Sequence, residues 1–524
     1  MSVFRRRLMG VQKSASVAEN LNYLTIEALE DGLTAKFSKA GLSYSIDGGE
    51  WVSLAASTNT PSINSGQTIA FKGELAEASG GSGTFTITKN CNIKGNCLSL
   101  IYGDNSEGQM SVKNRYTFRS LFKNCTTIQR VSEDLLPATS LGIYCYESMF
   151  YGCTNLQNAP KLPATTLTNY CYQKMFYGCK SLTRTPDLLA TSLGVHCYGS
   201  MFYNCSNLVE VPIELPAVKL SNYCYESMFY GCTKLVTPPN LPATSLGNSC
   251  YSQMFRGCIA LTSIPELPAT ILKEDCYWSM FSGCVKLTNP PSLPAMTMMS
   301  SCYSYMFSGC TSLSEAPSLP ATRLDQRCYY GMFNNCTSLI SAPELPATTM
   351  YSNCYESMFE GCTSLLSAPE LPTTFYIAAG CYMNMFYGCT KLKTPPELPS
   401  LVLQPDCYWG MFVDCTSLTN APQLPATALA DSCYYNMFKG CSKLTDAPTL
   451  PALELVSNCY YKMFNGCSKL SYVKALFLTT PSDEYTYEWM SGVYYLGEFT
   501  KNKDATWDVV GNNGIPRNWT VVTE

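Results

Sequence analysis

Cysteine is the residue type that could do most chemistry in this chain, because a thiolate can attack a substrate, bind a metal ion or pair in a disulfide. The chain has 29 cysteines, of which 26 lie in thirteen copies of Cys-Tyr-x-x-Met-Phe-x-x-Cys, from Cys145 to Cys467. The others are Cys91, Cys97 and Cys125. Zinc sites use shorter spacings than Cys-x7-Cys, so no zinc or other metal site is expected. The pattern predicts free, buried thiols that pack as small apolar residues, with pairing between repeats left open.

Catalytic residues other than cysteine are scarce. The chain has one histidine, His196, which excludes a recurring imidazole base. His196 precedes Cys197 and so suggests a cysteine–histidine nucleophile, but other repeats hold Tyr170, Tyr223 or Ser249 in the same slot. We interpret the slot as a variable loop position. The sequence therefore predicts a protein that is not an enzyme and has no cofactor, with a glycan-acting enzyme as a third alternative.

Carboxylates recur at one place in the repeat, in the slot that precedes Leu-Pro. The acidic row predicted from this slot comprises Asp187, Glu214, Glu266, Glu344, Glu370 and Glu397. On strands roughly 4.8 Å apart these side chains would follow one another along a sheet. The row is either a solvated sheet face or a groove for a cationic ligand or calcium. Glycosidase acids would also need a cleft, which the pattern does not predict.

Aromatic residues at two variable slots are the candidate ligand contacts. These are Tyr151, Tyr177, Tyr203, Tyr230 and Tyr387 after Met-Phe, and Trp278, Tyr330, Trp409, Tyr435 and Tyr461 after Cys-Tyr. Polar residues fill both slots in other repeats, so we expect the slots to face water. Exposed Tyr and Trp are favoured at interfaces. The rings either pack partly on neighbouring repeats or contact a carbohydrate or protein.

The elements that position these residues follow from the period. The Cys-Tyr steps are 26 residues apart, except for two steps of 27, and a period of this length indicates a solenoid. Cys171, Met175, Phe176 and Cys179 have the spacing of one helix face, with Gly178 as a helix stop. An extended stretch from Leu182 through the Leu-Pro step predicts a parallel strand, and a later leucine closes the loop to the next helix.

The order Met-Phe-x-Gly-Cys-x-x-Leu, then Leu-Pro, then a loop leucine resembles the BspA-like branch of the leucine-rich repeats over residues 116–478. The chain departs from that branch in its longer period, in Met replacing Ala and in the added Cys-Tyr. The resemblance implies surface attachment, and similar proteins belong to gut bacteria and their phages.

The predicted fold is an α/β repeat solenoid, leucine-rich-repeat-like, with parallel strands, short helices and an N-terminal all-β sandwich-like domain. We expect a polar leader at 1–20, a β-sandwich-like attachment domain at 21–110, about fourteen solenoid units at 111–478 and a C-terminal cap at 479–524. Short alternating runs and the turn Asp47-Gly48-Gly49 carry the β prediction for the N-terminal region.

Composition and charge exclude several classes of protein and of partner. Hydrophobic residues make up 46% of the chain and charged residues 14%, which argues against disorder. With a net charge of −4 and no recurring basic cluster, no nucleic acid partner is expected. No apolar run reaches the roughly 18 residues of a membrane span, and the run after Arg5-Arg6-Arg7 is too short for a signal peptide.

The leading hypothesis is a phage virion fibre or receptor-binding protein that attaches to a bacterial or host surface glycan or protein. Residues 1–110 would contact other virion proteins, and homo-oligomerisation is left open. The alternative is a bacterial cell-surface adhesin of the BspA-like type.

Overall fold

The computed structural model describes residues 22–75, 83–372 and 377–524. The predicted leader lies outside these ranges, as does most of the glycine-rich loop at 80–83. The N-terminal strands are β1 (Leu24–Ala28), β2 (Ala35–Phe37), β3 (Leu42–Ile46), β4 (Val52–Leu54), β5 (Thr68–Gly73), β6 (Phe85–Ile87) and β7 (Cys91–Lys94). They are followed by the short helix α1 (Ser99–Tyr102), a 3₁₀ turn at Gly103–Asn105 and β8 (Ser111–Val112).

The N-terminal strands form one six-stranded sheet in the order β4-β3-β5-β1-β7-β9, where β9 (Ile128–Val131) comes from the imperfect first repeat. β2 and β6 form a separate antiparallel pair, and Phe85 of that pair lies 5.0 Å from Phe71 of the large sheet, ring to ring. The β-rich texture is as predicted, but a sandwich domain is not confirmed. The β7–β9 pairing is parallel and joins this sheet directly to the repeats.

Each repeat contributes very little regular strand. The two-residue strands are β10 (Ser140–Leu141), β11 (Thr166–Leu167), β12 (Ser192–Leu193), β13 (Ile271–Leu272), β14 (Thr297–Met298), β15 (Arg323–Leu324) and β16 (Thr349–Met350). They pair in parallel with strands of neighbouring turns. Each contains the slot of the leucine that was predicted to lie in the loop before the next Cys-Tyr motif. The stretch predicted as the strand gives isolated bridges instead, such as Arg184 with Glu210. Its prolines lack the N–H group that a continuous ladder needs.

The predicted short helix is wrong: the Cys-Tyr-x-x-Met-Phe-x-x-Cys segment is a series of overlapping turns. In the first copy the N–H groups of Glu147, Met149 and Tyr151 donate to the carbonyl oxygens three residues earlier. The intervening residue Ser148 has φ of +55°, and its N–H donates across the solenoid to Gln173 of the next turn at 2.8 Å. An α-helix would satisfy such donors internally, whereas left-handed residues turn alternate peptide groups towards the neighbouring turn. We call the stacked Cys-Tyr-x-x-Met-Phe-x-x-Cys segments of successive turns the turn ladder.

One row of backbone N–H groups, that of the tyrosines after the first cysteine of each repeat, changes its direction of donation within the turn ladder. We call it the donor row. Tyr303 has φ of +61°, and its N–H donates back to Cys276 of the preceding turn. One turn later, Tyr329 is not left-handed, and its N–H donates forward to Cys354. The rings of Tyr303 and Tyr329 are 6.2 Å apart, against 5.7 Å between Tyr277 and Tyr303. The junction between these two turns therefore differs from those before it.

The core consists of columns that run the length of the array. One column has a phenylalanine from each turn, with successive rings stacked 5.5–5.9 Å apart: Phe122, Phe150, Phe176, Phe202, Phe229, Phe255, Phe281, Phe307, Phe333, Phe359, Phe386, Phe412, Phe438 and Phe464. A parallel column holds the invariant tyrosines from Tyr146 to Tyr460, which are buried. All 29 cysteines are buried free thiols, as the sequence predicted. The second cysteine of a repeat donates its S–H to the phenylalanine carbonyl of the preceding turn, as Cys179 does to Phe150 at 3.2 Å.

The C-terminal residues continue the stacking. β17 (Tyr472–Ala475), β18 (Gly497–Lys501) and β19 (Trp519–Thr523) form a parallel sheet, and α2 spans Asp483–Thr486. The Trp489 ring lies 6.4 Å from Phe464, at the end of the phenylalanine column, and its indole N–H donates to Gly514 at 3.0 Å. The capping role and the domain boundaries stay predictions.

Candidate recognition surface

Four of the predicted contact residues form one continuous stack on the turn ladder. Tyr151, Tyr177, Tyr203 and Tyr230, here called the early tyrosine row, have successive ring centroids 4.6, 4.5 and 4.3 Å apart and interplanar angles below 10°. A cation covers each end of the row. The Lys123 ammonium lies 5.0 Å from the Tyr151 ring, and the Arg256 guanidinium lies 5.8 Å from the Tyr230 ring.

This stacking decides which parts of the tyrosines a partner could touch. Each inner ring has both faces covered by its neighbours, so a sugar could not stack on those faces. The rings are half-buried, so a partner could contact the inner tyrosines only at their edges. Burial raises the pKa of Tyr203 to about 12, so its hydroxyl stays protonated and can donate a hydrogen bond at neutral pH.

A second aromatic stack runs through the first turns of the array and was missed from the sequence. Tyr116, Tyr144, Tyr170, His196 and Tyr223 form the mixed ring row, with centroids 4.3–4.8 Å apart. Arg115 and Arg119 both lie 5.4 Å from the Tyr116 ring. The signal was available, because an aromatic residue occupies the slot before the first cysteine in consecutive repeats. The slot was instead interpreted as a variable loop position.

The mixed ring row also accounts for His196 and Cys197. The imidazole lies between Tyr170 and Tyr223, and its Nδ1 is 3.9 Å from the Glu226 carboxylate, too far for a hydrogen bond. The Cys197 thiol donates to the Thr168 carbonyl at 3.0 Å. Burial raises the pKa of Cys197 well above its usual range, which disfavours the thiolate that nucleophilic attack requires.

A late aromatic row occupies the slot after Cys-Tyr near the other end of the array. Trp409, Tyr435, Tyr461 and Tyr487 follow one another at ring distances of 4.8, 4.5 and 5.1 Å. The Lys462 ammonium lies 5.4 Å from Tyr461 and 5.3 Å from Tyr487. Tyr487 was not predicted as a contact, because the Cys-Tyr motif that marks the slot is absent from its turn.

The remaining aromatic candidates are not in these rows. Tyr330 meets Tyr305 edge to face at 4.8 Å. Trp278 and Tyr387 contact no other ring within the described residues, and Tyr387 is exposed. Tyr330 and Trp409 line one cavity of about 460 Å³, although three turns separate them.

The acidic row is exposed throughout and does not converge. Glu344 and Glu370 line one shallow groove of about 660 Å³, which the prolines of the Leu-Pro segments also line. Asp187 lines a separate groove of about 520 Å³ together with Lys161 and Arg184. In the part of the chain that the structure describes, no three His, Cys, Asp or Glu side chains are arranged to hold a metal ion. The calcium alternative therefore gains no support.

Within the described ranges, no helix has the length and apolar character needed to cross a membrane.

Comparison with curated protein sequences finds no match. A solved structure described as "Crystal structure of TLR13-ssRNA13 complex" is 15% identical, over 71% of this chain and 50% of that chain, with a TM-score of 0.20. The match thus spans half the length of that solved chain. The model of the BspA type leucine rich repeat region matches in six copies at residues 115–254 and 226–365. The motif it recognises continues with the same period to Cys467. Residues 115–365 of the chain are therefore BspA-type leucine-rich repeats.

Proposed function

We propose that this chain is a non-enzymatic recognition protein that uses the aromatic rows of its turn ladder to attach to a surface glycan or protein. Leucine-rich repeat solenoids present long surfaces made of equivalent positions, which suits binding to an extended partner. The BspA-type repeats support a role in protein interaction or adhesion.

The early tyrosine row is the single observation that carries the proposal. The same slot holds Ser282, Glu360 or Lys439 in other turns, so the fold does not require tyrosine there. Four successive turns nevertheless carry tyrosine, and their rings stack in parallel at 4.3–4.6 Å. A partner with regularly spaced polar groups would meet a matching series of donors and acceptors.

The proposal that the chain is not an enzyme is supported by the placement of its two nucleophile candidates. His196 is held between two tyrosine rings, and Cys197 is directed into the core towards a carbonyl group. Solenoids of this family are typically binding proteins rather than enzymes.

We further propose that the chain is a fibre or receptor-binding protein of a phage particle, with residues 1–110 as the attachment end. It is supported by the resemblance of the repeat order and terminal layout to proteins of gut bacteria and their phages. A cell-surface adhesin of a bacterium is the second candidate, which the family match favours. Quantitative mass spectrometry of purified virions and of bacterial envelopes distinguishes these two origins.

The contact role of the early tyrosine row is tested by replacing Tyr151, Tyr177, Tyr203 and Tyr230 with phenylalanine together. This variant keeps the ring stack and removes only the hydroxyls, so the free energy of unfolding should change by less than about 1 kcal/mol. Binding of the labelled protein to gut bacterial cells, epithelial cells and a glycan array should fall by about tenfold or more.

The matched control is Tyr387→Phe, which removes a hydroxyl from the same slot in a turn outside the row. Unchanged binding by the four-site variant, with binding by the unaltered protein established, would show that the row is not the contact surface. A loss of binding caused equally by Tyr387→Phe would also contradict the assignment.

A further inference from the structure

A cavity lies on the turn ladder directly after the junction where the donor row reverses. It spans four turns, from Gln326 to Trp409, and has a volume of about 460 Å³. This is within the size range of small-molecule sites in proteins. Ala379 and Gly380 lie in its lining, in slots where an earlier repeat carries Asn169 and Tyr170. Small side chains in these two slots therefore open the space. We call it the Tyr330–Trp409 cavity.

Aromatic rings bound the cavity at its two ends. Trp409 is the first ring of the late aromatic row: Tyr435 covers one side of it at 4.8 Å, and Met383 of the preceding turn is in the cavity lining. Tyr330 lies three turns away, roughly 14 Å at about 4.8 Å per turn. Unlike the inner rings of the early tyrosine row, Trp409 has no aromatic neighbour on its cavity side among the described residues. A flat apolar ligand face can therefore pack on it.

The lining of the cavity includes a buried carboxylate that is held by a hydrogen bond. Glu356 is only 7% exposed, and it accepts a hydrogen bond of 2.6 Å from the Asn353 amide. Burial raises the pKa of Glu356, and burial together with Asp431 raises the pKa of Asp406. The nearby Tyr330 hydroxyl and the Arg327 charge favour the ionised form of the Glu356 carboxylate and so act to lower its pKa. No ion pair within 4 Å compensates either carboxylate in the described part of the chain.

The other polar residues of the lining supply hydrogen-bond donors, which the carboxylates lack. Arg327 can only donate hydrogen bonds, Asn353 and Gln326 can donate and accept, and the two carboxylates accept. Apolar lining beyond the two rings is limited to Met383, Ala379 and the adjoining glycine. The cavity therefore offers one open ring face and a mixed set of planar polar groups.

We infer that the Tyr330–Trp409 cavity binds an uncharged short oligosaccharide, with one sugar ring packed on Trp409 and hydroxyl groups paired with Glu356, Asp406 and Arg327. Sugar hydroxyls both donate and accept, so they can satisfy all of these groups at once. This inference rests on the recognition role proposed above and assigns it a ligand class and a site.

Other ligand classes fit the lining less well. A phosphorylated or sulfated ligand would meet Glu356 and Asp406, whose charges oppose it. A peptide side chain would need more apolar lining than Met383 and Ala379 provide. An organic cation would suit the ring and the carboxylates but would be opposed by Arg327, so it becomes the alternative outcome of the test.

The test uses the full chain labelled with 5-fluorotryptophan, which gives fluorine NMR signals from its six tryptophans. Trp409→Phe assigns the signal of the cavity. Titration uses maltotriose, cellotriose, chitotriose and N-acetyllactosamine, with choline chloride as the organic cation. We expect a saturable shift of the Trp409 signal with at least one of the oligosaccharides. Glu356→Gln should weaken that binding by about tenfold, as should Trp409→Ala when calorimetry replaces the lost signal.

Trp278→Phe is the matched control, since Trp278 occupies the same slot in a turn outside the cavity. A Trp409 shift with choline and not with sugars would overturn the assignment of ligand class. If the protein binds cells but no oligosaccharide moves the Trp409 signal, this inference fails while the recognition role stands. If neither cells nor oligosaccharides bind, both fail.

Discussion

His196 shows how one residue's chemistry is set by its neighbours rather than by its type. Tyr170 and Tyr223 cover the two faces of the imidazole, and the nearest carboxylate, that of Glu226, is not hydrogen bonded to it. Burial, with a smaller contribution from the Lys174 charge, lowers the pKa of His196 below its ordinary value of 6.5. The ring is therefore a neutral member of the mixed ring row at neutral pH.

Because the chain has one histidine, this pKa can be measured without assignment. We expect an imidazole NMR titration with a midpoint below 6.5 in the folded protein. With the folded-state pKa lowered, the stability contributed by neutral His196 is present above its ordinary pKa and is lost as the pH falls through the folded-state pKa. His196→Tyr should remove this part of the pH dependence. A midpoint above 6.5 would mean that attraction to Glu226 dominates, contrary to the prediction.

At the same scale, spacing identified the aromatic slots but not the contacts between their rings. Tyr151, Tyr177, Tyr203 and Tyr230 were expected to face water, and the structure places them half-buried in a stack. Side-chain spacing fixes which residues share a slot in successive turns, whereas ring orientation depends on backbone geometry that the spacing does not reveal. Their role as ligand contacts therefore remains a proposal.

At the scale of the element, the same spacing was compatible with two structures. Residues at i, i+4, i+5 and i+8 share one face of a helix, and in the turn ladder Cys171, Met175, Phe176 and Cys179 are equally buried. The helix and the turn ladder differ in the acceptors to which the backbone N–H groups donate. A donor that pairs with the next turn contributes nothing to the side-chain pattern of its own segment, so the sequence did not indicate the turn ladder.

The sequence indicated that the recurrent glycine has a conformational role but assigned it wrongly to the end of a helix. Gly283 has φ of +75°, and the equivalent slot holds Asn204 and Asn335 in other turns, with φ of +55° and +59°. Glycine and asparagine are the residues that tolerate this left-handed conformation. The slot therefore belongs to the turn ladder and does not mark the end of a helix.

This slot gives a prediction with an internal control. Gly283→Ala should lower the free energy of unfolding by about 1–2 kcal/mol, because a Cβ is unfavourable at this φ. Space is not the cause, since an added Cβ would lie 3.8 Å from the nearest atoms of Gly257. Gly283→Asn should cost less, as the natural asparagines in this slot suggest. Urea denaturation of the three proteins measures the difference, and equal losses for Ala and Asn would contradict the left-handed slot.

At the scale of the whole molecule, the repeat period correctly predicted a stacked solenoid with buried cysteines. The columns of Phe, Tyr and Cys follow directly from the period, because equivalent residues of successive turns must lie above one another. The N-terminal sandwich was not confirmed, since alternation predicts strands but does not say which of them pair. The parallel joining of β7 to β9 depends on residues far apart in the sequence.

The buried columns predict the behaviour of the thiols. Burial raises the pKa of Cys205 to about 12, and other thiols in the columns are shifted in the same direction. We expect the native protein to react slowly with 5,5′-dithiobis(2-nitrobenzoic acid) at mildly alkaline pH, at a rate that follows global unfolding. In concentrated guanidinium chloride all 29 thiols should react. Rapid reaction of many thiols in the native state, or fewer than 29 after unfolding, would contradict the buried free-thiol columns.

The reversal of the donor row between Tyr303 and Tyr329 has a mechanical consequence. Hydrogen bonds between turns point along the stacking direction, so tension applied to the two ends loads successive junctions in series, and the weakest one opens first. The wider ring separation makes this junction the natural place for a break. A protein stretched between two anchored bodies would then yield near its middle and leave the turns on either side stacked.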